Sequence, residues 1–112
     1  MREFRDRQNA AKYAEIYGAA SNQFRASATQ EQFTALMELV RARLGRHRSG
    51  TVVKPTWILA ENGSLVTLEV KSLYERGEAT ELFVFFISKD DETTLEGYRI
   101  DSPLLGQPGK EL

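Results

Sequence analysis

Residues 65–87 read LVTLEVKSLYERGEATELFVFFI, and this stretch decides the fold. Strand side chains alternate between faces, so Val66, Leu68 and Val70 share one side of a first strand, and Phe83, Phe85 and Ile87 share one side of a second. Arg76-Gly77 between them predicts a tight hairpin. With Glu75 opposite Glu78, the register sets Val70 against Phe83, Leu68 against Phe85 and Val66 against Ile87, so the two apolar faces coincide. Glu81 then points the same way as Phe83, opposite Ser72 and near Tyr74.

Working outward, Asn62-Gly63 is a strong signal for a second hairpin, because both central residues of a type I′ turn need positive φ. Pairing Glu61 with Ser64 puts Leu59, Trp57 and Pro55 on the same apolar face. A slip of one residue would send that set to the opposite side, so the agreement constrains the meander. Pro55 cannot donate to a ladder and marks its strand as an edge or a bulge. After the turn at Lys89 to Glu92, a two-residue Asp90-Asp91 loop would bring Tyr98 and Ile100 to the shared face, whereas an odd loop would bring Leu95 and Gly97. On the other side of the central hairpin Leu82, Val84 and Phe86 line up across from Lys71, Glu69 and Thr67. Such an apolar row on an uncovered sheet face is the expected interface of a homodimer.

Ahead of the sheet, Ala10, Tyr13, Ala14, Tyr17, Ala20 and Phe24 recur at three- and four-residue spacing and predict an amphipathic helix over about residues 5–24, with Gly18 as a possible break. A second helix starts at Thr29, where Gln32 completes a capping box, and carries Phe33, Leu36, Met37, Val40 and Leu44 inward. Gly45 sits where its C-terminal cap is wanted. The fold class is therefore α+β: N-terminal helices packed on a curved four-stranded antiparallel meander. One domain spans residues 1–103, and Pro103, Gly106, Pro108 and Gly109 predict a flexible tail over 104–112.

Composition narrows the function. The 112 residues contain no cysteine, which excludes disulfides, cysteine nucleophiles and cysteine-ligated zinc. The net charge of −1 hides an asymmetry: residues 1–54 hold ten Lys/Arg and five Asp/Glu, and the remainder five and eleven. No apolar run is long enough for a membrane helix. Nor do Arg2, Glu3, Arg5, Asp6 and Arg7 leave room for the apolar core of a signal peptide. With a single histidine and no phosphate-binding glycine loop, no cofactor or metal is expected. Asp90, Asp91 and Glu92 supply too few oxygens for calcium.

Three sets of residues remain as candidate sites. Tyr13, Tyr17, Trp57, Glu81, Phe85 and Tyr98 would line a cavity between helices and sheet, open to an apolar ligand; there Glu81 with Tyr17 or Tyr98 would be the acid–base pair of an isomerase- or hydrolase-like enzyme. A strand-end Glu81 in contact with water is the plainer expectation. Arg41, Arg43, Arg46, His47 and Arg48 would form an anion site, although cations at a helix C-terminus are favoured by the helix dipole alone. No aromatic residue interleaves them to stack a base, so nucleic acid is not an expected partner. Leu82, Val84 and Phe86 make the third set, the dimer face.

The segments Tyr13-Ala14-Glu15-Ile16-Tyr17, Glu31-Gln32-Phe33, Val40-Arg41-Ala42-Arg43-Leu44-Gly45, Ala79-Thr80-Glu81-Leu82-Phe83-Val84 and Leu95 to Ser102 resemble a family of small, mostly exported bacterial domains of unknown function. That family lies in the nuclear transport factor 2-like, or cystatin-like, superfamily. The resemblance implies a helix-lined cone, commonly dimeric, which in some relatives holds a small molecule. The histidine-aspartate pairs of the superfamily's enzymes have no matching positions here. It also implies a periplasmic or secreted home if a leader has been removed, and a cytoplasmic one otherwise. The expectation is a non-enzymatic binding or assembly module of the cell envelope, with the enzyme and the anion binder as alternatives.

Overall fold

Helix α4, Gln30–Leu44, is framed by the two signals its sequence carries. The Thr29 hydroxyl accepts the Gln32 amide N–H while the Gln32 side chain accepts that of Thr29, and Gly45 leaves the helix at φ 85°. Its Phe33, Leu36, Met37, Val40 and Leu44 are all buried. The computed structural model describes residues 1–105 and the backbone of 110–111.

The single helix expected over 5–24 is instead three short ones: α1 Arg2–Asn9, α2 Tyr13–Ala19 and α3 Asn22–Ser27. The first break is at Ala11, whose φ of 58° is left-handed. Lys12 N–H bonds to Arg7 C=O and Ala11 N–H to Gln8 C=O, the paired bonds of a Schellman stop. Such a conformation costs an L residue about 1–2 kcal/mol. The second break is not at Gly18 but at Ala20, where Ser21 caps α3 by accepting the Phe24 N–H. In consequence Ala10 and Ala14 face solvent, and Phe4, Gln8 and Ile16 are buried instead.

The strands β1 His47–Ala60, β2 Gly63–Tyr74, β3 Glu78–Ser88 and β4 Thr93–Asp101 form the antiparallel meander, in sequence order. A two-residue strand β5, Lys110–Glu111, pairs with β4. Of the stretch expected as a tail, Leu104 and Leu105 continue a 3-10 turn, Pro103–Leu105, that buries Leu105, and 106–109 and 112 lie outside the described residues.

Both predicted hairpins are offset by two residues from the expected register. Leu68 faces Phe83 and Val66 faces Phe85 in the central one; Trp57 faces Val66 and Pro55 faces Leu68 in the first. The loops are therefore Glu75-Arg76 and Glu61-Asn62. Tertiary bonds account for the first shift: Glu75 N–H donates to Arg46 C=O and Arg76 N–H to Leu44 C=O, tying this loop to the end of α4. At the other loop Asn62 does not take positive φ, so no type I′ turn forms. Gly63 is needed for a close approach, since a Cβ there would lie 2.1 Å from the Ile87 carbonyl oxygen. An offset of two keeps every side chain on its expected face, which is why the apolar pattern survives.

In the last hairpin the loop is the odd one rather than Asp90-Asp91 alone, Gly97 lies opposite the outward Val84, and inward residues of both readings are nevertheless found. The three-residue loop Lys89-Asp90-Asp91, with Asp91 left-handed at φ 63°, turns Leu95 inward. A bulge opposite the Val84–Phe85 step then returns Tyr98 and Ile100 to the same side.

The core lies between the helices and β2–β4. Phe24, Phe33, Met37, Val40 and Leu44 meet Val70, Phe83 and Ile100, with Phe24 and Phe33 edge to face at 5.6 Å. No β1 residue belongs to the described core. Its apolar side chains are open: Leu59 is 90 % exposed, Trp57 62 % and Ile58 56 %.

Candidate functional site

Beneath α1 the sheet carries a charge. Glu81, inward on β3, is 0 % exposed and pairs with Arg5 of α1, whose side chain is 11 % exposed. The guanidinium engages both carboxylate oxygens, Nη2 to Oε1 at 2.7 Å and Nη1 to Oε2 at 3.1 Å. Three hydroxyls complete the shell: Ser72 donates to Oε1, and Tyr98 and Tyr74 donate to Oε2, the last at 2.7 Å. Arg5 also donates to the Gln8 Oε1 at 2.9 Å, and Gln8 in turn donates to the Tyr74 hydroxyl oxygen at 2.9 Å. The guanidinium carbon stands 5.0 Å from the Phe83 ring centroid and 5.6 Å from that of Phe4, within range of a cation–π contact.

The expectation of a Glu81 in contact with water is thus corrected. Facing Val70 rather than Ser72, it sits deeper in the sheet and reaches Ser72 diagonally. Burial alone would push its carboxyl up. The Arg5 charge and the bonds from Arg5, Ser72 and Tyr98 outweigh burial and hold it below the usual carboxylate range. Burial, then the Glu81 charge, push the Tyr74 and Tyr98 phenols up. At neutral pH the centre is an ionised, fully hydrogen-bonded carboxylate between two protonated phenols. Both carboxylate oxygens are occupied by donors, and the shell holds the Arg5 guanidinium in a two-point contact.

Two clefts abut this centre without including Glu81 in their walls. One, of about 400 Å3, is lined by Phe4, Arg7, Ile16, Phe85 and Leu95 among others; the other, of about 540 Å3, by Gly50, Ser72, Ala79 and Asp101 among others.

The six residues expected around one cavity separate into different environments. Glu81 and Tyr98 meet directly, and Phe85 stacks on Phe83 at 5.8 Å beside them. Tyr13 is buried in the core, and the Tyr17 hydroxyl donates to the carbonyls of Arg25 and Ala28 at the end of α3. Trp57 stands on the open strand β1. The basic cluster also disperses. Arg41 donates to the Asn9 carbonyl that ends α1, Arg43 donates to that of Leu104, and Arg46 and Arg48 are exposed. His47 is partly buried, edge-on to Tyr74 at 5.2 Å, its Nε2 without a hydrogen-bond partner among the described residues. Burial, with the nearby Arg5 charge, lowers its pKa to about 4.

Leu82, Val84 and Phe86 are half-buried on the outer face, opposite Glu69, Thr67 and Leu65 rather than the partners expected. Among the described residues no group of His, Asp and Glu is placed to hold a metal ion. No helix among them is long and apolar enough to cross a membrane.

The sequence model of the DUF4019 family, a family of proteins of unknown function, matches residues 2–98. The chain belongs to that family. No curated protein matches it. The matched span of this DUF4019 domain contains the whole polar centre, from Arg5 to Tyr98. Sequence reasoning passed over Arg5 and Gln8. The available signal was local: three apart on a helix they share a face, and an inward Glu81 calls for a buried cation.

Proposed function

We propose that this DUF4019 domain is a non-enzymatic assembly module that forms a homodimer along β1. The carrying observation is the set of exposed apolar residues Val52, Val53, Trp57, Ile58 and Leu59 on a strand whose outer edge pairs with no other strand among the described residues. The opposite edge of the sheet is capped by β5, so the long free edge is β1. A second copy presents the same edge antiparallel under two-fold symmetry, which continues the sheet and brings apolar side chains of the two strands into cross-strand contact. Exposure moves the proposed interface from Leu82, Val84 and Phe86, which are half-buried, to β1.

Helices followed by a curved antiparallel meander support a cone of the nuclear transport factor 2-like superfamily. The cleft at Phe4, Ile16 and Phe85 is the place this reading gives to a small apolar ligand. A location in the cell envelope belongs to the same proposal and rests on family resemblance. The closed shell of Glu81 argues against the acid–base alternative, and the dispersal of Arg41, Arg43, Arg46, His47 and Arg48 against the anion binder.

The test is native mass spectrometry of wild type and Leu59→Glu over a concentration series, with circular dichroism alongside. Wild type is expected as a dimer, and the variant as a folded monomer, because Leu59 makes no part of the core. A folded dimer in the variant, or a wild-type monomer throughout, overturns the reading.

A further inference from the structure

The cleft of about 400 Å3 beside α1 falls within the roughly 300–1,000 Å3 of small-molecule sites. Four elements build it. Phe4 of α1, Ile16 of α2, Phe85 of β3 and Leu95 of β4 form its apolar walls, and all four belong to the core. Phe4 and Phe85 both pack on Phe83, edge to face at 5.0 Å and stacked at 5.8 Å, so their rings are fixed before anything binds.

The rim is charged. Arg2, Glu3 and Arg7 line it, two cations against one carboxylate. Glu3 and Arg7 have the i,i+4 spacing of a helix ion pair, but no ion pair among the described residues joins them. The remaining arginines of the helices are committed: Arg5 to Glu81, and Arg25, Arg41 and Arg43 to backbone carbonyls. Among the described residues, the two helix arginines whose guanidinium has no protein acceptor are thus the two that line this cleft. Arg7 is in addition half-buried, so its charge is partly desolvated. A guanidinium in that state favours a planar carboxylate, which it grips with two parallel N–H donors.

A wholly polar anion would leave the apolar walls unused, and a hydrocarbon would leave Arg7 without its acceptor. We propose that the cleft binds a small organic carboxylate with an apolar body, its head on Arg7 and Arg2 and its body against Phe4, Ile16, Phe85 and Leu95. Glu3, on the same rim, disfavours a head with more than one negative charge. This gives a chemical class to the ligand of the proposed function and rests on that reading of the cleft; it does not depend on the dimer along β1.

The test titrates octanoate and, separately, 1-octanol into 15N-labelled protein, each below its micelle or solubility limit, and follows the amide shifts. Octanoate is expected to move the signals of α1, α2, Phe85 and Leu95 and to bind about fivefold tighter than octanol, the worth of one half-exposed ion pair. Arg2→Gln combined with Arg7→Gln should abolish that preference and keep octanol binding; neither side chain is in the core, so the fold persists. A preference that survives the double change, or equal affinities in the wild type, would overturn the carboxylate and leave an apolar-ligand cleft standing. No shift at these residues with either probe would overturn both. Phosphatidylglycerol vesicles, run in parallel, are expected to leave the signals unchanged. Broadening by vesicles without a response to octanoate would assign the cations to an anionic membrane surface and overturn the proposal.

Discussion

Replacing Arg5 with methionine keeps most of the stem packed over Phe83 and Phe4 but removes the charge. Glu81, 0 % exposed, then retains only the hydroxyls of Ser72, Tyr74 and Tyr98. Removing one partner of a buried pair costs about 3–5 kcal/mol, and three surviving donors place this site near the lower end. The expected loss is thus about 3 kcal/mol at neutral pH, or a fall in Tm of roughly 12–20 °C for a domain of this size.

The loss also acquires a pH dependence of known sign. In the wild type Glu81 is held below its unfolded pKa, so its contribution is complete above roughly pH 4.5 and fades as the pH falls through the folded value. In the variant, burial is opposed only by the hydroxyl bonds, of which those from Ser72 and Tyr98 lower the carboxyl, and as the largest single effect it is expected to raise the Glu81 pKa above its unfolded value. The native state then takes up a proton, and its stability recovers as the pH is lowered. Loss of the Arg5 charge also eases protonation of His47, which acts in the same direction. Guanidinium denaturation followed by far-UV circular dichroism, near neutral pH and again about two units lower, measures both effects. A loss below about 1 kcal/mol, equal at the two pH values, is the signature of a solvent-exposed pair and would refute the buried centre. Pairing Arg5→Met with Glu81→Gln should cost less than the sum of the single changes.

Three further outcomes are expected. His47 has a folded pKa of about 4 against 6.5 unfolded, so the unfolded chain binds the extra proton and stability falls as the pH drops from about 6.5 to about 4. Discounted for its partial exposure, this amounts to roughly 1–2 kcal/mol; His47→Phe should flatten that part of a Tm-against-pH curve, and a persisting slope would assign it elsewhere. Gly63→Ala drives a methyl against the Ile87 carbonyl and the Phe86 ring, which should cost about 2 kcal/mol or more in chemical denaturation, whereas a neutral effect would contradict the described strand approach. Thr29→Ala removes the hydroxyl half of the capping box and should cost about 1 kcal/mol with the denaturation slope unchanged.

The elements with strong local grammar were legible in the chain alone. Thr29, Gln32 and Gly45 bound α4 because caps are satisfied within a few residues. The period-two pattern of Val66, Val70, Phe83 and Phe85 set the inward face because burial acts on parity, and an error of two residues leaves parity intact. Three features had to wait for the tertiary structure. Each depends on groups far apart in sequence. The central hairpin's loop moved because Leu44 and Arg46, at and just past the end of α4, accept hydrogen bonds from Arg76 and Glu75. The helix expected over 5–24 broke at Ala11, which places Phe4, Arg5 and Gln8 over the sheet. Glu81 changed from a carboxylate at the strand end to the ionised centre of the fold, because a cation 76 residues away in the chain closes over it. Trp57 and Leu59 have the apolar character of core residues. Only the reach of the helices, which meet β1 at its His47 end and not at Trp57 and Leu59, decides that they face water.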